Sequence, residues 1–105
     1  MQAKTRMLPV IVAVLSLPAA AMAQDIAAGE HIARTWCAGC HQVGKEGSKA
    51  RNDAVPSFPS VANMSSTTST SLQVFLSTPH NKMPDYSLSR NDIQNVSAYI
   101  LSLRQ

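Results

Sequence analysis

Cys37-Ala38-Gly39-Cys40-His41 places two thiols and an imidazole in one short segment, and no other stretch constrains the fold as much. Positions i, i+3 and i+4 share one helical face. Two thiols at that spacing can add to the two vinyl groups along one haem edge. The next residue, His41, can then reach the iron from below. C-x-x-C-H is the c-type haem attachment pattern. Ala38 and Gly39 keep the turn small, so a flat ring can approach the backbone. Thioether attachment would consume both cysteines of the chain, leaving none for a disulfide.

Three other chemistries use two close cysteines. A thioredoxin-type redox pair needs a βαβ setting, and no strand alternation precedes Cys37. A zinc site usually wants four ligands; His31 and His80 are available but not at finger-like spacing. A structural disulfide between cysteines so close strains its ring. Haem attachment is the reading that the spacing favours.

The amino terminus reads as a targeting segment. Met1 to Met7 is polar and carries Lys4 and Arg6, Leu8 to Leu17 is almost unbroken apolar, and Ala21-Met22-Ala23 is a small-x-small pattern. These are the three regions of a secretory signal peptide spanning 1–23, with cleavage expected before Gln24. The apolar run is shorter than the roughly 20 residues needed to span a bilayer, and Pro9 and Pro18 interrupt it. Lys4 and Arg6 would leave with it, so the domain at 24–105 holds seven Lys/Arg against six Asp/Glu. That balance argues against nucleic-acid binding. The exported domain is expected in the periplasm, as a monomer with no stable membrane insertion. Aromatics make up 5% of the whole chain, so side chains alone give the domain a thin core, and small domains generally need a staple. A haem would supply one.

Asp25 is a plausible N-cap for a first helix from Ile26 to about Trp36, with Ile26, Gly29, Ile32, Ala33 and Trp36 on one side. Glu30 and Arg34 form an i,i+4 pair. From Gln42 to Asn63 the periodicity dissolves among Gly44, Gly47, Pro56 and Pro59. Ser65 to Ser71 contains only Ser and Thr and reads as a loop. Ser69 or Thr70 could cap a short helix holding Leu72, Phe75 and Leu76, ended by Pro79. Ser89 and Asp92 open a last helix with Ile93, Val96, Tyr99, Ile100 and Leu103 as its apolar stripe. Arg104 near its carboxyl end suits the helix dipole.

With these features the chain after residue 23 resembles a small class I cytochrome c. The resemblance implies an all-α cytochrome c fold of three to four helices wrapped around one covalently bound haem. In that family the haem motif ends the first helix, as Cys37 to His41 does here. A small residue in the first helix faces an aromatic in the last; Gly29 and Tyr99 match. A loop proline, with an apolar residue two further on, offers its carbonyl to the proximal histidine. Pro56 and Phe58 match, with Pro59 a rival. The distal ligand comes from a Met-Pro before the last helix, where Met83-Pro84 stands. One departure is Ala33, where a large aromatic is often found; Trp36 could take over some of that packing.

The resemblance thus implies haem c bound through Cys37 and Cys40, with His41 and Met83 as axial ligands and Pro56 as support. Met64 and His80 are the alternatives to Met83, since a lone Met is usually core filler. Met/His ligation raises the reduction potential and leaves no open position on the iron. The expected function is a soluble one-electron carrier between periplasmic or membrane redox partners, not an enzyme in itself. The alternative is a haem enzyme or gas sensor with a labile sixth ligand. Lys45, Lys49, Arg51 and Lys82 could guide an acidic partner, although an ordinary solvated surface is the simpler account of each. Tyr86 and Trp36 could touch the haem or simply pack.

Overall fold

The computed structural model describes residues 1–14, 24–45, 54–78 and 83–105. Residues 1–14 have no regular structure. Four α-helices lie among the described residues: α1 (Ile26–Ile32), α2 (Phe58–Asn63), α3 (Ser69–Ser77) and α4 (Arg90–Ser102). No described strand is longer than the single bridged residue Met83. The fold is all-α, as expected. No helix among the described residues is long and apolar enough to cross a membrane. Ala21, Met22 and Ala23 lie outside the described residues.

Asp25 caps α1, accepting from the Ala28 N–H at 2.9 Å, which satisfies one of the orphan donors of the first turn. The Glu30–Arg34 pair forms at 2.8 Å on the exposed face. The helix does not run uniformly to Trp36. It passes at Ala33 into a π-helical turn, Ala33–Cys37, in which the Ala38 N–H bonds the Ala33 carbonyl at 3.0 Å. The extra residue in this turn changes the direction in which Trp36 and Cys37 leave the helix. Ile26, expected on the packed side, is 48% exposed, because it sits in the first turn beyond the crossing.

Helix α4 crosses α1, the most extensive helix pair of the fold. Its stripe is as expected: Ile93, Val96, Tyr99, Ile100 and Leu103 are all buried. Ser89 caps it through the Asp92 N–H at 3.0 Å. At the crossing Gly29 is buried, and a Cβ there would overlap the Asn95 carbonyl oxygen and come to 2.9 Å from Tyr99 Cβ. Asn95 Oδ1 also accepts from the Asp25 N–H at 2.9 Å, fixing the start of α1 against α4.

Two segments differ from their sequence reading. The stretch Gln42 to Asn63 is not wholly irregular, since it ends in α2. Ser57 caps this helix through Ser60 N–H, and Pro59 sits in its first turn, where a missing N–H costs nothing. The polar run Ser65 to Ser71 is not all loop. Helix α3 begins at Ser69, and its cap is Thr68 rather than Ser69 or Thr70. Thr68 Oγ1 accepts from Ser71 N–H while Ser71 Oγ accepts from Thr68 N–H, a reciprocal box. Helix α3 ends at Ser77, before Pro79, which is outside the described residues. Leu72 is buried, but Phe75 is 52% exposed.

Arg104 does more than complement its own helix. Its Nε donates to Ala62 O at 2.8 Å and its Nη2 to Thr67 O at 2.6 Å, tying α4 to the end of α2 and the turn beyond it. Ala33, Val43, Phe58, Ala62 and Leu72 join the α4 stripe in one core. Phe58 and Tyr99 are the aromatic residues of this core, and the remainder is aliphatic. Among the described residues, Ser97 Oγ is buried with no hydrogen-bond partner. A buried hydroxyl without a partner destabilises. Ser97→Ala is therefore expected to raise stability by about 1 kcal/mol, a Tm increase of about 4–8 °C for a domain of this size, read by thermal melts.

Candidate functional site

The attachment segment is built by the π-helical turn and the tight turn after it. Cys37 is the last residue of the first, and the Cys40 and His41 N–H groups both bond the Cys37 carbonyl, at 3.1 and 2.9 Å. That single turn sets the backbone of the two cysteines and the histidine in one short loop. Both thiols are free. Cys37 is half-buried, and burial pushes its thiol above the usual range; Cys40 is exposed. Gly39 has open space where a side chain would stand, so this turn leaves room on its outer side.

His41 Nδ1 lies 2.7 Å from the Pro56 carbonyl oxygen. A carbonyl can only accept, so Nδ1 carries the proton and, in the neutral ring, Nε2 holds the lone pair. This is the arrangement by which proteins orient a metal-binding histidine. The loop is locked from two further directions. Phe58 N–H donates to Gln42 O at 2.8 Å, and the Phe58 ring packs on the His41 ring at 5.2 Å between centroids. Tyr99 Oη donates to Val43 O at 2.7 Å, joining α4 to the same loop. Between the rival prolines the structure distinguishes plainly: the Pro59 carbonyl accepts from Asn63 Nδ2, at 2.8 Å.

Met83 lies in the segment before α4. It is half-buried and lines a cleft with Leu76, Pro84, Tyr86 and Leu88. Met64 is 53% exposed at the end of α2. His31 is exposed on α1. His80, Lys49, Arg51 and Lys82 lie outside the described residues, while Lys45 is exposed. Trp36 does not replace the missing aromatic at Ala33 inside the core. Ala33 is fully buried, whereas Trp36 is 50% exposed and packs against Tyr86. The π-helical turn accounts for this, since it swings Trp36 out of the α1 register.

The donor set suits a c-type haem. Two free thiols suit thioether attachment to the edge of a macrocycle, and an imidazole with an oriented Nε2 suits its iron. The small core fits as well, because a large flat apolar group would supply what Val96 and its neighbours lack. Among the described residues, which do not include His80, no group of three or more His, Cys, Asp or Glu could hold a metal ion. Sequence reasoning missed the Tyr99–Val43 and Phe58–Gln42 bonds, which depend on contacts across the chain.

Comparison with known proteins gives the same direction. A family model described as cytochrome C oxidase, cbb3-type, subunit III matches residues 24–100. Cytochrome c-552 of Bradyrhizobium diazoefficiens is 44% identical over 94 residues, covering 90% of this chain and 89% of that protein. No solved structure matches the chain significantly.

Proposed function

The chain belongs to the cytochrome c family and is a haem-based electron carrier, and from that premise we propose its ligands and its setting. Cys37 and Cys40 hold the haem through thioethers, and His41 and Met83 take the two axial positions. The observation that carries this reading is the 2.7 Å contact of His41 Nδ1 with the Pro56 carbonyl. It fixes the tautomer and leaves Nε2 as the only basic nitrogen.

Bound haem supplies a ferric/ferrous couple that takes up and releases one electron. The protein's residues do the rest. Pro56 and Phe58 hold the His41 ring in one orientation, which would present Nε2 to the iron. The Met83 thioether favours the reduced form more than a second imidazole would, which raises the potential. With His41 and Met83 both holding the haem iron, no coordination site would be open to small molecules, which favours electron transfer over catalysis.

Residues 1–23 are a signal peptide and 24–105 the working domain, delivered to the periplasm. The charge pattern at Lys4 and Arg6, the apolar run and the family match beginning at residue 24 support this division. The partners are other redox proteins, a donor such as a dehydrogenase or membrane complex and an acceptor such as an oxidase or reductase.

Met83→Ala in the purified holoprotein is expected to abolish the weak red charge-transfer band of the Met-ligated ferric form. The same variant, once reduced, should bind carbon monoxide rapidly, while the unaltered protein should not. Survival of the band in Met83→Ala, with its loss in Met64→Ala, would overturn the assignment. Rapid, complete carbon monoxide binding by the unaltered protein at neutral pH would point to an open iron and to a sensor or enzyme instead.

A further inference from the structure

Trp36 and Tyr86 are both large, both about half exposed, and have their ring centroids 5.3 Å apart with planes tilted by 40°. They come from the two segments that flank the haem site. Trp36 immediately precedes Cys37. Tyr86 lies three residues after Met83 and lines the same cleft. The ring pair therefore joins the two segments through side chains.

The Met83 segment is shaped to present this ring. Asp85 Oδ1 accepts from Ser87 N–H at 2.8 Å, closing an Asx-turn with Tyr86 at its centre. Ser87 sits at φ 52, a left-handed conformation that residues other than glycine adopt rarely. On the opposite side the π-helical turn Ala33–Cys37 takes Trp36 off the packed face of α1 and out to meet Tyr86. Two departures from ordinary backbone geometry thus converge on one ring pair. Outside a tight core a loop ligand held only by its own bond to iron would exchange readily with competitors.

We propose that Trp36 and Tyr86 form a clasp that holds the Met83 segment against the attachment segment, making both residues positioning residues for the distal ligand. The proposal rests on Met83 being that ligand. Trp36 acts on the iron only through Met83, and Tyr86 likewise.

Imidazole competes with a thioether for ferric iron, so its affinity reads how firmly Met83 is held. Titrations would use ferric holoprotein with haem attached, for Trp36→Ala, Trp36→Phe, Tyr86→Ala, Tyr86→Leu and the double alanine variant. An aromatic pair of this kind implies that each alanine variant binds imidazole between about twofold and tenfold more tightly. The double variant should bind no more tightly than the stronger single, because either change opens the clasp. Trp36→Phe keeps a ring and should restore most of the original affinity, whereas Tyr86→Leu keeps bulk without a ring and should not. Additive effects in the double variant, or unchanged affinity in both alanine variants, would overturn the clasp. Met83→Ala is the control. Loss of the charge-transfer band there, with no change in the Trp36 and Tyr86 variants, sinks the clasp alone. Persistence of the band in Met83→Ala sinks the ligand assignment and the clasp with it. Should Trp36→Ala fail to fold, the exposed loop variants Tyr86→Ala and Tyr86→Leu decide the matter by themselves.

Discussion

Gly29→Ala is expected to destabilise the holoprotein by about 3 kcal/mol, the upper part of the usual cost of overfilling a packed site. The corresponding fall in Tm is roughly 12–24 °C for a domain of this size. The sign makes this a sharp test. In an ordinary helix interior alanine is better than glycine by about 0.5–1 kcal/mol. Here the added Cβ has no room, because the Asn95 backbone carbonyl already occupies its place. A carbonyl in the middle of α4 cannot move without breaking that helix, so α1 and α4 must separate. Separation would also cost the Asp25–Asn95 bond. A thermal melt of the purified variant checks the result, and an unchanged or raised Tm would show that the crossing is looser than the Cβ overlap implies.

Replacing both Cys37 and Cys40 by serine is expected to abolish covalently bound haem altogether. A serine hydroxyl does not add across a vinyl group, whereas a thiol does. Haem staining after denaturing electrophoresis should show no band, and a pyridine haemochrome of the extracted protein should show no c-type spectrum. Each single serine variant should keep haem through the remaining thioether, with the haemochrome band shifted towards longer wavelength by one unsaturated vinyl. Covalent haem in the double variant would place attachment elsewhere. The same variant should lose much of its helical far-ultraviolet signal. The protein's own core is one small cluster around Val96, Tyr99 and Ile100, and domains this short generally need a further staple to stay folded.

These effects differ in how far they can be read from residues alone. Helix α4 was legible because four apolar residues of its stripe repeat within its 13 residues, with Leu103 just beyond, and Ser89 marks its start. Helix α2 was not, although Ser57 and Pro59 signal a start. Its 6 residues are too few to display a period. Within Ser65 to Ser71 every side chain can cap, so local chemistry does not choose among them. The reciprocal bonds of Thr68 and Ser71 choose. The attachment segment was legible because its chemistry is local in sequence. Which proline serves His41 was not, since both Pro56 and Pro59 offer carbonyls at a similar remove. The answer depends on where Ser57 starts α2, which spends the Pro59 carbonyl on Asn63. The outward swing of Trp36 was hidden for another reason: one extra residue in a helical turn leaves no trace in composition.

The docking of α1 on α4 joins partners far apart in the chain; Asp25 and Asn95 are separated by 70 residues. Closing so long a loop is slow compared with forming local turns. A chain emerging from its amino end therefore exposes Cys37 and Cys40 well before α4 exists to pack against the helix that leads into them. The order of synthesis opens an interval in which an external machinery can reach both thiols on an unclosed chain. The α1–α4 contact can form only once the last residues of the chain are present.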